Sequence, residues 1–460
     1  MKNVALHNLG CKVNSYEMEV MQQKLQERGF RVVSFDQAAD IYIVNTCTVT
    51  NIADRKSRQM LHRAKQNNPD AVVVAVGCYV QTGLDAIEKD ESIDLAIGNN
   101  RKKDIVEILE EYLAARETGS DDGQAFNEAV RRQPVDKTLG GVTVLDIAHT
   151  HEYEEMQLKQ TAEHTRAYIK IQDGCNQFCS YCAIPLARGR VRSRQARDIL
   201  EEIRGMVSRG YREVVLTGIH ISSYGIDFGE GSGKLIDLVG QIHEIDGLER
   251  LRLGSLEPRI VTQETARRLA VLEKLCPHFH LSLQSGCDVT LKRMNRHYTT
   301  GEYCESVEHL RRAFDHPAIT TDVIVGFPGE TEEEFAQTRD FLEKIEFYEM
   351  HIFKYSRREG TAAAKMSAQV PDGEKTRRSE ILFELKRRQS REFRSRYIGR
   401  EAEILAEEIK TIQGREYLLG HTKDYVRIAL PCGELTDVSE PGQLITLSVK
   451  DFLTEEILLA

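Results

Sequence analysis

Cys175-Asn176-Gln177-Phe178-Cys179-Ser180-Tyr181-Cys182 holds three cysteines in the spacing C-x3-C-x2-C. A closed four-iron cluster takes four thiolates, so a three-cysteine loop with no fourth cysteine close by leaves one iron open to a small ligand. Structural zinc sites favour paired C-x2-C elements with a complete fourth ligand, which this stretch lacks. The loop therefore reads as the holder of an iron–sulfur cluster with one reactive position.

Working outward, the run just before the loop, 167–171, is strand-like. It opens a series that continues at 213–217, 250–254, 280–283, 319–325 and 348–353, with helical patterns between. Six βα units fall two short of an eight-fold barrel, which predicts a partial (β/α)6 barrel whose first βα loop carries the cysteines. Ahead of it, residues 1–116 alternate apolar runs at 4–9, 31–35, 41–46, 71–76 and 93–97 with amphipathic patterns at 15–28 and 55–66. That alternation predicts a doubly wound α/β domain with a mostly parallel sheet. Residues 117–165 turn polar, with Gly-Ser-Asp-Asp-Gly at 119–123, and are expected to form a linker with a possible strand near 141–148. A basic helix over 373–396 closes the central domain, 166–398. Short strands broken at Gly414, Gly433 and Gly442 predict a small β-barrel over 399–460.

Cys11, Cys47 and Cys78 share a local setting, each directly following a strand-like run. In an open α/β sheet the loops beyond the carboxyl ends of the strands converge on one crevice, so these three thiols can meet around a second cluster. Gly10 and Gly77 precede their cysteines, which suits close backbone approach to a bulky group. Free cysteine also packs as a small hydrophobe, but core packing does not explain three identical strand-end placements.

The C-x3-C-x2-C loop resembles the signature of the radical S-adenosylmethionine (SAM) superfamily, and the triplet ahead of it resembles the methylthiotransferase family within it. Ser282-Leu283-Gln284-Ser285-Gly286, Met294-Asn295-Arg296 and the run from Asp322 to Thr331 look like further family motifs. The resemblance covers essentially the whole chain and implies two 4Fe-4S clusters with S-adenosyl-L-methionine. Cys175, Cys179 and Cys182 would hold the cluster that cleaves SAM to a 5′-deoxyadenosyl radical. Cys11, Cys47 and Cys78 would hold an auxiliary cluster carrying the sulfur, and the tail would be an RNA-binding TRAM barrel.

Leu9-Gly10-Cys11-Lys12-Val13-Asn14 and Asn45-Thr46-Cys47-Thr48-Val49-Thr50 resemble the branch acting on N6-threonylcarbamoyladenosine in tRNA; the isopentenyladenosine branch shows Gln-Met-Asn after that first cysteine. The implied reaction adds a methylthio group to carbon 2 of the adenine beside the anticodon, with the tRNA anticodon stem-loop and an electron donor protein as partners. Methylthiolation of isopentenyladenosine, or of an aspartyl residue on a ribosomal protein, uses the same chemistry. A non-catalytic iron–sulfur RNA-binding sensor would need only one cluster.

SAM contacts are expected at the strand ends Thr217, Gly218, Glu257 and Gln284, with Tyr181 a candidate to pack on the adenine. Arg188, Arg190 and Arg296 are candidates to meet a carboxylate on the base substituent. The net charge of −10 excludes a protein coated in basic surface, yet residues 374–400 carry ten Lys or Arg against four Glu. Arg188, Arg190, Arg192, Arg194 and Arg197 form a second basic run; either could meet phosphates or be laced with ion pairs. Cys276, Cys287, Cys304 and Cys432 share no site-like spacing. No apolar run reaches the roughly 18 residues needed to span a bilayer, and ten cysteines in this length suit a reducing compartment, so a cytoplasmic location is expected.

Overall fold

The computed structural model describes residues 2–117, 137–139, 142–160, 165–229, 234–434 and 441–460. Its first sheet contains β1 (Asn3–Asn8), β2 (Arg31–Val33), β3 (Ile41–Thr46), β4 (Val72–Gly77), β5 (Leu95–Ile97), β6 (Lys137–Leu139) and β7 (Val142–Val144), in the order β2-β1-β3-β4-β5-β7-β6. Strands β3 and β4 are buried along their whole length, as expected for central parallel strands rich in Val and Ile with both faces covered. From β1 the chain runs through helix α1 (Lys12–Glu27) to β2 on one side, then crosses to β3 on the other, from which α2 (Asn51–Asn67) leads on to β4. The connections diverge between β1 and β3, and the loops after these strands flank the resulting crevice.

The central domain begins with β8 (Ala167–Asp173) and a short antiparallel β9 (Arg192–Ser193). It continues through β10 (Glu213–Gly218), β11 (Arg250–Leu253), β12 (His278–His280), β13 (Ala318–Val325) and β14 (Glu349–Lys354). The parallel ladders β8-β10-β11 and β12-β13-β14 are joined by single bridges, Leu251 to Leu275 and Leu256 to Leu281. Among the described residues no ladder joins β8 to β14, so the barrel is partial. Helix α1 fills part of this arrangement by packing on β8 and β10 as well as on its own sheet. Tyr16 on α1 donates to the Met156 carbonyl at 2.5 Å and to Glu202 at 3.1 Å, tying the two domains together.

The expected linker differs from a solvated tether. Strand β7 extends the first sheet by pairing with β5. Further on, Glu154, Met156 and Leu158 are buried while Glu155 and Gln157 are exposed. That is the period-two pattern of an extended segment with one covered face, diluted by its charged residues. The stretch from 118 to 136, including the Gly-Ser-Asp-Asp-Gly run, lies outside the described residues.

Beyond the long helix α5 (Asp372–Ser395), six strands form one largely antiparallel sheet: β15 (Glu401–Ile412), β16 (Arg415–His421), β17 (Arg427–Pro431), β18 (Leu444–Ser448), β19 (Asp451–Phe452) and β20 (Leu458–Leu459). The order is β18-β15-β16-β17-β20-β19. Its core includes Tyr348 and Phe393 from the central domain and α5, whose rings lie 4.5 Å apart. Arg250 at the start of β11 also donates to the His421 carbonyl and to Glu403, both at 2.9 Å. The carboxyl-terminal sheet is thus a packed face of the barrel rather than a tethered appendage. No helix among the described residues is long and apolar enough to cross a membrane.

Candidate active site at the strand ends

The three-cysteine loop begins where β8 ends. Gly174 has φ +68°, and a Cβ there would lie 1.8 Å from the Arg190 carbonyl oxygen, so only glycine lets the returning chain pass this close. Cys175 N–H donates to the Gly189 carbonyl at 3.0 Å, Gln177 N–H donates to Cys175 Sγ at 3.4 Å, and Cys182 N–H donates to the Cys179 carbonyl at 3.0 Å. The segment 293–296 braces the loop from outside: Ser180 donates to the Met294 and Arg293 carbonyls, and Arg296 Nη1 reaches Cys179 Sγ at 3.2 Å. Burial pushes the Cys175 thiol up to about 11 and the Cys182 thiol up to about 12, against opposing backbone N–H donors at Gln177 and Ile184. Metal binding releases such protons, and the donors aimed at sulfur then serve the thiolates.

Cys11, Cys47 and Cys78 do converge. Gly10 has φ +107°, and a Cβ on it would lie 3.0 Å from Cys47 Cβ and 3.1 Å from Cys47 Sγ, so the loop after β1 rests on the cysteine after β3. Gly77 pairs with Thr46 in the β3–β4 ladder, which sets Cys78 beside Cys47 where those two strands end. Burial raises the Cys11 thiol, opposed by Arg188 and the Asn14 N–H; burial raises Cys47 to about 11, opposed by the Val49 N–H. Asn14 Nδ2 donates to the Leu9 and Thr46 carbonyls at 2.7 and 3.0 Å, and Asn45 Nδ2 returns a bond to the Asn14 carbonyl at 2.9 Å. Each set therefore offers three sulfurs and backbone donors, a donor set that fits a four-iron cluster with one open iron.

The two sets are neighbours through two short helices, α3 (Cys78–Thr82) and α4 (Ile184–Arg188), which pack on each other. Asn99 Nδ2 donates to the Ala187 carbonyl at 2.7 Å and approaches Cys78 Sγ at 3.5 Å. Arg358 clamps the loop after Cys47 from the barrel side, donating to Thr48 Oγ1 and Asp54 Oδ2 at 2.6 Å each.

A cavity of about 300 Å³ is lined by Cys175, Cys179, Cys182, Glu257, Gln284 and Arg296. Glu257 accepts from Gln177 at 3.2 Å and from Arg259 at 3.0 Å, with His220 Nε2 at 3.5 Å. Burial works to raise its pKa, but His220 and Arg259 bring it down to about 2, which leaves a carboxylate able to receive a cationic amino group. Tyr181 lines the same cavity and meets Phe327 edge-on. Thr217 and Gly218 instead line a second cavity of about 760 Å³ in the barrel lumen, together with Cys11, Lys12, His351 and Tyr425. Ser255, Asp322 and Phe353 border both cavities. His280, Asp322 and His351 cluster at that border, His280 Nε2 lying 3.3 Å from Asp322 Oδ2.

Of the two roles open to the arginine run after the loop, three of its members take the ion-pair role. Arg188, Arg192 and Arg194 are buried, not open to phosphates or to a substrate carboxylate. Arg188 donates to Glu17 at 2.8 Å, to Asp173 at 3.0 Å and to Asn14 at 2.7 Å, while Lys102 and Lys170 reach Glu17 at 2.5 and 2.6 Å. Burial alone would raise the Glu17 pKa, but these three cations hold it well below the usual carboxylate range. Arg190 lies over the Phe178 ring at 4.4 Å. The basic helix α5 is likewise laced with ion pairs: Arg378 to Glu330, Lys386 and Arg394 to Glu349, and Arg388 to Glu343. Asn99 and Arg358 carry no sequence motif of their own, and the fold alone brings them to the site.

Comparison with known proteins agrees with this arrangement. Residues 169–342 match the Radical SAM superfamily, and residues 3–98 match the Uncharacterized protein family UPF0004. The chain is 38% identical over 430 residues to a threonylcarbamoyladenosine tRNA methylthiotransferase, MtaB, of Bacillus subtilis (strain 168), covering 93% of this chain and 90% of that protein. It is 36% identical over 404 residues to a tRNA-2-methylthio-N6-dimethylallyladenosine synthase of Carboxydothermus hydrogenoformans, covering 86% of each. Among solved structures, the radical SAM methyltransferase TsrM of Kitasatospora setae shares the fold at TM-score 0.56 and 16% identity, over 79% of this chain and 74% of that one. With two cysteine sets at adjoining strand ends and relatives aligned along nearly its full length, the chain belongs to the radical S-adenosylmethionine tRNA methylthiotransferase family.

Proposed function

We propose that the protein transfers a methylthio group to carbon 2 of N6-threonylcarbamoyladenosine, beside the anticodon of a tRNA. The observation that carries this reading is the meeting of two three-cysteine sets at the strand ends of two sheets, bridged by α3 and α4. Cys175, Cys179 and Cys182 would hold one 4Fe-4S cluster and Cys11, Cys47 and Cys78 the other. Bound there, the clusters and SAM supply radical activation and sulfur for a C–H bond that has no acidic proton and no leaving group.

The chain's own residues supply position and charge. Glu257, kept ionised, would receive the SAM amino group, with Gln284 and Tyr181 on the same wall. Arg296 would donate to the Cys179 thiolate, and the Gln177, Ile184, Asn14 and Val49 N–H groups would do the same for other ligands. The lumen cavity would receive the target base, since Cys11 borders it and it shares Ser255, Asp322 and Phe353 with the cysteine-loop cavity. An electron donor protein and a cytoplasmic location belong to the same proposal.

Relatives acting on the two adenosine derivatives align at similar identity, so overall similarity does not choose between them. The choice rests on Leu9-Gly10-Cys11-Lys12-Val13-Asn14 and its resemblance to the threonylcarbamoyl branch. Mass spectrometry of tRNA nucleosides from cells lacking the protein tests it: loss of the methylthio form of threonylcarbamoyladenosine alone supports the proposal, and loss of the isopentenyl derivative contradicts it.

A further inference from the structure

Lys12 is exposed and takes no part in the packing of α1. It is the first residue of α1, a helix end that carries positive partial charge, and the first turn contains no acidic residue to offset it. Its side chain borders the lumen cavity. The charged or polar groups facing it across the domain boundary are Tyr425, Arg166, Arg252, Glu213 and His278.

The acids in that neighbourhood are already engaged. Glu213 takes Arg252 at 2.9 Å, Glu407 takes Arg166 at 3.4 Å, and Glu403 takes Arg250 at 2.9 Å. The other Lys and Arg on the cavity wall have carboxylates as well: Lys386 and Arg394 share Glu349, and Arg427 has Glu408. Among the described residues Lys12 alone on that wall has neither an ion pair nor a hydrogen bond for its ammonium. Lys12 is exposed on the cavity wall, so its ammonium can meet an anion entering the cavity without giving up a partner in the protein.

The cavity, about 760 Å³, is within the usual range of sites that enclose a small organic ligand, roughly 300–1,000 Å³. We propose that Lys12 pairs with a carboxylate on the substituent of the substrate base, making the barrel lumen a specificity pocket for an anionic modified adenosine. This rests on the function proposed above, because the threonylcarbamoyl group carries a carboxylate and the isopentenyl group does not. The position of Lys12 next to Cys11 then sets substituent recognition beside the sulfur-bearing site.

The test uses reconstituted full-length enzyme and anticodon stem-loop RNAs carrying threonylcarbamoyladenosine, its neutral threonine-amide analogue, or isopentenyladenosine. Wild-type enzyme should favour the carboxylate RNA over the amide by about 10- to 100-fold in kcat/KM, the usual worth of a charged hydrogen bond. Lys12→Gln should lose that preference by slowing on the carboxylate RNA alone, and Lys12→Arg should keep it. Equal treatment of carboxylate and amide by the wild type overturns the proposal. So does a Lys12→Gln enzyme slowed equally on both, or one that loads less iron, since either assigns Lys12 to cluster or fold. Product from the isopentenyl RNA alone overturns the proposed substrate, and this pocket with it.

Discussion

Arg296 donates from Nη1 to Cys179 Sγ at 3.2 Å, so a permanently charged guanidinium rests on one sulfur of the three-cysteine loop. Its Nε donates to Tyr298 Oη at 3.0 Å and Nη2 reaches the Ser282 carbonyl at 3.4 Å, which fixes the head group between two strand-end motifs. A donor in this place tunes the electron density of the sulfur and orients it. Arg296→Met should slow SAM cleavage by about 10- to 100-fold while the chain still folds, the usual cost of removing such a partner. An unchanged rate of 5′-deoxyadenosine release would show that the contact is incidental.

The two cysteine sets predict separable clusters. Anaerobically reconstituted protein should bind about eight irons, falling to about four in either Cys179→Ala or Cys47→Ala. The first variant should lose SAM cleavage, and the second should keep it while losing methylthio transfer. About four irons in fully reconstituted wild type would contradict the assignment.

Glu257→Gln should raise the Kd for SAM about tenfold by removing an ionised hydrogen-bond partner. Binding isotherms with SAM, read on protein whose iron content matches wild type, check this. Unchanged affinity would move the SAM amino group elsewhere in the cavity.

The buried cluster of Glu17 with Arg188, Lys102 and Lys170 predicts a stability effect with a defined pH signature. Glu17→Gln leaves buried cations without their carboxylate and should cost about 3–5 kcal/mol. The Glu17 pKa is depressed on folding, so its contribution is complete above the ordinary carboxylate value, about 4.3, and is lost as pH falls toward the folded value. The gap between wild type and Glu17→Gln in denaturant unfolding should therefore be constant from about pH 8 to 5 and narrow below about 4. A gap that widens on acidification would contradict the ion-pair account.

Much of this architecture was legible from local pattern. Buried parallel strands such as 41–46 and 71–76 announce themselves as Val- and Ile-rich runs, and strand-end cysteines follow from knowing where those runs stop. The strand expected at 280–283 forms at His278–His280 instead, ahead of a bridge at Leu281, because barrel strands end where the loop turns into the site. What pattern could not show was pairing across distance. Sequence alone could not choose between phosphate contact and ion pairing for Arg188, because its partner Glu17 lies 171 residues away on another domain. Lys12 lies in a recognised motif, but only the fold shows that it borders the lumen cavity.

The carboxyl-terminal sheet, expected as a small RNA-binding barrel, has Tyr348 and Phe393 in its core. Deleting residues 401–460 should lower the thermal midpoint of the remaining protein as well as weaken tRNA binding, since large aromatic surface becomes exposed. Calorimetry of the truncated chain checks this, and an unshifted midpoint would restore the module as an independent unit.

The most direct measurement is the product formed when enzyme carrying both clusters is given SAM, reductant and an anticodon stem-loop containing threonylcarbamoyladenosine. Mass spectrometry should show the methylthio derivative of that nucleoside, and none from the same RNA given to Cys47→Ala or Cys179→Ala. SAM cleavage without methylthio product on this RNA, but with product on the isopentenyl RNA or on a ribosomal protein, would contradict the account.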